Sequence, residues 1–315
     1  MATEVEGRPG RQGVLGSLVR VTLVVVACLA AAGAIYVRNA LKPRATPPPP
    51  LPVPNGYDDL VRAGESIRGN LPNDGQLKGA TADDLRRWVA ANAEALKLGR
   101  AGLGRPSRVA VGYDADLSAT MRQGSACRAL ARLLVAEGEL ALGEGRPVDA
   151  ARSFLDGVRL GQATGRGGLL LDAMIGSAIE SSALDGLSRS RPGLPAAELR
   201  AAIATLLEVD AAREPFQAVL DGEAYWREQA VDYRTRLMMT ISGMDRKLLG
   251  PANKSAEQAH QRTQAGLRRE LVSLAEQLYA LEEGTDPESP AALVPAYLPA
   301  IPPDPATGRP IVGRE

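Results

Sequence analysis

Residues 21–37, VTLVVVACLAAAGAIYV, form an uncharged apolar run of 17 residues between Arg20 and Arg38. At about 1.5 Å rise per residue, and lengthened by Leu18 and Val19 past a snorkelling Arg20, the run matches a hydrocarbon core roughly 30 Å thick. It reads as a single-pass transmembrane anchor contacting the lipid bilayer through residues 21–37, with the rest of the chain a domain held at a membrane surface. A cleavable signal peptide competes with this reading, because Ala30-Ala31-Ala32 and Ala32-Gly33-Ala34 put small residues behind the apolar core. The long leader, and the continuation of the run through Ile35, Tyr36 and Val37, favour the anchor. A buried soluble helix fits worse, since the run is apolar on every side and borders a polyproline stretch. Arg8, Arg11 and Arg20 before the run balance Arg38, Lys42 and Arg44 after it, so the charge rule for orientation is tied. A short tail ahead of a first apolar segment ordinarily stays cytoplasmic, which puts the large domain outside, in a bacterial periplasm.

The 37 Lys and Arg residues are cancelled by 37 Asp and Glu, so nothing in the overall charge argues for nucleic acid, whose binding needs clustered cations. Two cysteines, Cys28 in the anchor and Cys127 beyond it, offer no disulfide framework. Aromatic residues make up only 3% of the chain, against abundant Ala, Leu and Gly. That is a helix-forming composition whose stability comes from many modest contacts between closely approaching helices.

Composition divides the chain into five parts. Residues 1–20 are a Gly- and Arg-rich tail expected to be disordered, 21–37 the anchor, and 38–56 a Pro-rich linker. The linker's polyproline core, 47–54, spans roughly 25 Å at about 3.1 Å per residue and reads as a spacer; the other reading is a ligand for an aromatic groove. Residues 57–284 are helical almost throughout, and 285–315 form a Pro-rich tail in which proline forbids a long helix and leaves ordered turns. Within the helical part, Thr81 with Asp84 starts a helix carrying Leu85, Trp88, Val89, Asn92 and Leu96 on one face, and residues 99–112 read as a loop. A long helix through Leu130, Leu134 and Leu140 ends near Gly143, and a second begins at Pro147. Further helices are expected over 169–187, 195–209 and 216–249, the last broken by Gly250-Pro251. A final helix sets Leu267, Leu271, Leu274, Leu278 and Leu281 in a coiled-coil-like seam, expected to pack back on the helix before it.

Gly138, Leu142, Gly145, Arg146, Ala150, Phe154 and, loosely, Gly157 give the stretch 133–164 a likeness to one tetratricopeptide-type helical hairpin, with the family's first-helix aromatic positions unfilled. One such hairpin cannot bury both its faces, so the resemblance implies neighbouring helices. A second likeness covers about 40 residues at the end: Leu278-Tyr279, Glu283-Gly284, Pro287, Leu293-Val294-Pro295, Tyr297-Leu298, Pro302, Asp304-Pro305 and Gly308. This resembles the segment after the long helix of type II secretion pseudopilins, and the same segment closes a group of planctomycete membrane-anchored helical proteins of no assigned activity. The layout as a whole resembles the latter. No pseudopilin processing signal precedes Val21, so filament assembly does not follow; Asp304-Pro305 and Gly308 read as turn chemistry.

Catalytic constellations are scarce. Glu257 and His260 have the spacing of two metal ligands on one helix face, but His260 is the only histidine and the pair reads as helix surface. Gly165-Arg166-Gly167-Gly168 lacks the Lys-Ser or Lys-Thr of a phosphate loop and reads as a connector. Cys127 lies among small core residues, and Glu180, Glu208, Glu214 and Glu223 are dispersed over separate helices. No cofactor, metal or catalytic residue is indicated. Tyr225, Trp226, Arg227, Tyr233 and Arg234 form the one aromatic and basic concentration, and with it the candidate partner-binding strip.

These readings converge on an all-α domain of roughly eight helices, partly tetratricopeptide-like, with one N-terminal transmembrane helix and a Pro-rich C-terminal cap. The function that follows is a membrane-anchored interaction or scaffold protein of the bacterial envelope, with a protein partner. The alternatives are a component of a secretion or pilus-like machine and a cell-wall glycan-acting enzyme with paired carboxylates.

Overall fold

The computed structural model describes residues 11–40, 45–69, 79–113, 116–242 and 244–312, with side chains of 11–18, 39–40, 240–241 and 244–249 outside the description. Among the described residues there are no strands, and the all-helical reading is borne out. The helices are α1 (Arg11–Ala40), α2 (Gly56–Ser66), α3 (Ala82–Ala91), α4 (Ala93–Leu103), α5 (Ser118–Gly143), α6 (Pro147–Gly165), α7 (Leu170–Ser190), α8 (Ala196–Ala211), α9 (Phe216–Ala230), α10 (Tyr233–Ser242) and α11 (Met244–Glu283). Of the tail expected to be disordered, residues 1–10 lie outside the described residues and 11–20 belong to α1. Within α1, Val19–Arg38 is long and apolar enough to cross a membrane, and none of that window is buried against protein.

Local chemistry sets several boundaries. Thr81 and Asp84 close a reciprocal capping box at the start of α3. Pro147 opens α6 where its missing N–H costs nothing. Asn55 caps α2, accepting from the Tyr57 N–H and also exchanging bonds with the Arg108 backbone. Two expectations shift. The helix begun at Thr81 is interrupted at Asn92, whose amide bonds Arg68 and Trp88 carbonyls, and α4 then runs on to Leu103 through the region read as loop. The break expected at Gly250-Pro251 lies instead at 231–232, where Asp232 caps α10 through Arg234 and Thr235; α11 continues through Pro251.

The domain has two layers. Helices α2, α5, α7 and α11 lie side by side over α4, α6 and α8, and α2/α4, α5/α6 and α6/α7 form antiparallel pairs, while α8 packs on α11 and α6. Contacts advance together along α5 and α7, from Gly124 against Ile175 to Glu139 paired with Arg189 at 2.8 Å, so these two run parallel. The seam of α11 buries Leu267, Leu271, Leu274 and Leu278 against α7 and α8, not against the helices that precede it. Leu293, Leu298 and Ile311 of the Pro-rich segment enter the same core, and Asp304 folds its turn by accepting from Ala306 and Thr307 N–H.

Glycine lets the central helices meet. A Cβ at Gly161 would stand 2.7 Å from the Gly176 carbonyl oxygen, and one at Gly176 would strike the Gly161 carbonyl, so α6 and α7 cross backbone to backbone. Phe154, fully buried, fills the space left open by Gly138 of α5 and Gly186 of α7. The same closeness accounts for Gly157, whose Cβ would lie 2.8 Å from that of Ala183. Gly176→Ala is therefore expected to destabilise the domain by about 1–3 kcal/mol and Phe154→Ala by about 3–5 kcal/mol. Thermal unfolding in detergent should show Tm falling roughly 2–4 °C per kcal/mol; an unchanged Tm for Gly176→Ala would rule out the backbone crossing.

Candidate functional site

The aromatic and basic strip read from sequence is split between two environments. The Trp226 indole donates to the Gly112 carbonyl at 3.0 Å, and Tyr225 stands edge-on to Tyr113 with ring centroids 5.2 Å apart. Both rings hold α9 against the loop 104–113, half-buried beside Arg227. Tyr233, 56% exposed, lies on α10 with the Arg234 guanidinium over its ring at 5.9 Å. The strip is thus half a structural brace and half an outward surface.

Three of the dispersed acids, Glu180, Glu214 and Glu223, come together around α7. Glu180, fully buried, pairs with Arg213 from the segment after α8. Burial pushes the Glu180 carboxyl up while the Arg213 charge opposes this. Glu214 bridges Arg108 at 2.9 Å and the Gly167 N–H at 2.8 Å, tying the loop 104–113 to the α6/α7 turn, and Gly167 there has φ +69°. His260 lines the same small cleft, its ring 5.7 Å from Phe216; burial and then the nearby Arg213 push its pKa down to about 4, so it is neutral. Glu257 is exposed. Among the described residues no group of three His, Cys, Asp or Glu side chains is placed to hold a metal. Glu208, on α8, lies outside this cleft.

Under the start of α7 lies a buried polar cluster. Asp172 accepts from the Leu169 N–H at 2.9 Å through Oδ2 and leaves Oδ1 without a partner; Glu223 accepts from the Leu170 N–H at 2.8 Å. Tyr57 and Cys127 lie near Asp172, and burial pushes the Cys127 thiol up to about 11, which makes it a poor nucleophile.

Two grooves on the described residues have their charges arranged in opposite ways. The first, about 790 Å³, lies along α6 and α8. Its charges are paired internally: Arg100 bridges Glu137 and Asp156, Arg152 holds Glu198 at 2.8 Å, and Arg146 holds Asp149 at 2.6 Å. The second, about 470 Å³, lies between the parallel helices α5 and α7 with Gly157 of α6 in its floor. Val135, Ile179 and Ala183 make it apolar, and Arg128 and Arg132 stand exposed on its α5 rim. Neither arginine has a carboxylate within salt-bridge distance among the described residues; Arg128 only donates to Ser125 Oγ at 3.2 Å. Exposed Met121 and Met174 lie on the two helices toward their N-termini.

No family model, curated protein or solved structure matches this chain. The α5/α7 groove was missed in sequence reading, because its signal is the absence of partners for Arg128 and Arg132, and partners come only with the fold. The i, i+4 spacing of the two arginines was the one trace of it.

Burial, reinforced by Glu223, raises the Asp172 pKa from 3.8 to about 6. Between those values the fold holds a proton that the unfolded chain releases, so stability from this site is present near pH 4 and is lost as pH rises through about 6. Asp172→Asn keeps the oxygen that accepts from Leu169 and removes the buried charge. It is expected to raise Tm at pH 7.5 by the equivalent of up to about 3 kcal/mol, with the difference closing by pH 4. Equal Tm differences at both pH values would contradict a buried, charged Asp172.

Proposed function

We propose that this protein is a membrane-anchored interaction protein of the bacterial envelope, whose α5/α7 groove docks an amphipathic, acidic segment of a protein partner. The anchor is α1, and the helical domain stands on the periplasmic side. One observation carries the docking reading: an apolar groove rimmed by Arg128 and Arg132, which lack carboxylate partners among the described residues, while the arginines of the other groove are paired. An apolar helix face fits such a floor, and acidic residues on its flanks supply the missing counter-charges. The tetratricopeptide-like pairing of α5 with α6 agrees with this use by analogy of fold.

A second reading, hydrolysis of cell-wall glycan, is favoured by Glu137 and Asp156 sharing one groove, with burial raising the Asp156 pKa. Arg100 bridges both carboxylates, which suits a structural ion pair better than an acid/base couple. Retained glycan hydrolysis in a Glu137→Gln, Asp156→Asn double variant would remove that reading.

The docking reading is tested with a photoreactive residue at Ser182 in the full chain in its native membrane, followed by mass spectrometry of the adduct. The expected result is a reproducible protein adduct through an acidic amphipathic peptide, reduced at least tenfold by Arg128→Glu with Arg132→Glu. Secretion ATPase or platform proteins as the captured partner would assign the protein to a secretion or pilus-like machine. An adduct insensitive to the double charge reversal, or none, would refute docking in this groove.

A further inference from the structure

The linker 45–54 begins and ends at the same end of the helical array. The Ala45 N–H donates to Glu228 near the end of α9 at 3.4 Å, and Asn55, at the far side of the linker, is bonded to the Arg108 backbone in the loop 104–113. Trp226 and Tyr225 join that loop to α9. The α5/α6 turn at Glu144 lies at the other end of α5, whose 26 residues span about 39 Å. From Arg38, where the apolar span closes, to Ala45 is seven residues, at most about 25 Å of extended chain. The end of the array formed by the loop 104–113 and α9 therefore stays within that distance of the bilayer, and α10 starts five residues after Glu228.

What α10 presents there suits a lipid surface. Met238 is 71% exposed and Tyr233 56% exposed. Arg227, Arg234 and Arg236 belong to the same stretch. Its two acids are already engaged, Glu228 with the linker and Asp232 in capping α10 through Arg234 and Thr235. Exposed aromatic and apolar side chains among cations, close to an emerging anchor, match the headgroup layer of an anionic bilayer.

We propose that α10 lies on the anionic bilayer surface from which the chain's own anchor emerges, with Tyr233 and Met238 in the headgroup layer and Arg227 and Arg234 on lipid phosphates. The proposal rests on the reading of α1 as a membrane anchor. The array is thereby held at two points and stands with α5 directed away from the membrane.

The test uses the full chain in liposomes of phosphatidylethanolamine and phosphatidylglycerol, with photoreactive benzoylphenylalanine at Met238 or, at the far end, at Asp149. Carbonate extraction of the same vesicles reports on the anchor independently. The expected result is carbonate-resistant protein with lipid adducts at Met238 at least tenfold above those at Asp149, falling several-fold with Arg227→Glu and Arg234→Glu. Carbonate-resistant protein with no excess of lipid adducts at Met238 overturns the surface contact and leaves the anchor standing. Protein adducts in place of lipid at Met238 also overturn it. Release of the full chain by carbonate removes the anchor reading and this proposal with it.

Discussion

The crossing of α6 over α7 at Gly161 and Gly176 is the contact on which the rest of the domain depends. A chain with so few aromatic residues has little large side-chain surface to bury, and dispersion falls off steeply with separation. Bringing backbones together replaces size with proximity. It also leaves room for one large side chain, Phe154, against Gly138 and Gly186. With α5, α6 and α7 fixed in this way, α4 and α8 have a lower layer to join and α11 an upper one. The α5/α7 groove exists because only Gly157 lies beneath it.

Two of the buried charges belong to the same helix, α7. Glu180 meets Gly161 of α6 and Arg213 of the segment after α8, and Asp172, at the start of α7, lies near Tyr57, Cys127 and Glu223. An ion pair such as Glu180 with Arg213 gains little net stability against its desolvation, but each member alone would be costly to bury. Its effect is on geometry. The segment after α8 has to return to α7 to satisfy Glu180, and Glu214 beside it then fixes the α6/α7 turn and Arg108.

What was legible in the sequence was local or periodic. The capping box of Thr81 and Asp84, the proline at the first turn of α6, and the leucine seam of α11 each follow from residues a turn or two apart. The all-helical class follows from composition. The misreadings arose where tertiary contacts decide. Proline 251 looks like a helix end because it removes one hydrogen bond, yet α11 is held by its long seam and runs through it. The chain breaks instead at 231–232, where Asp232 offers a cap. Trp226 and Tyr225 looked like ligand-facing aromatics, and their partners Gly112 and Tyr113 are more than a hundred residues away. Arg128 and Arg132 stood out least, since a missing counter-ion leaves no mark in a linear pattern.

The segment that follows α11 has a bearing on how the molecule is made. Leu293, Leu298 and Ile311 are members of the largest core cluster, alongside Phe154, Leu187 and Leu206. During synthesis the helices from α2 to α8 emerge first, and domains acquire structure from the N-terminal side. That core lacks part of its wall until residues 293–311 have left the ribosome. Until then the side of this core that faces Leu293, Leu298 and Ile311 is uncovered, and the nascent chain depends on whatever shields apolar surface in its surroundings.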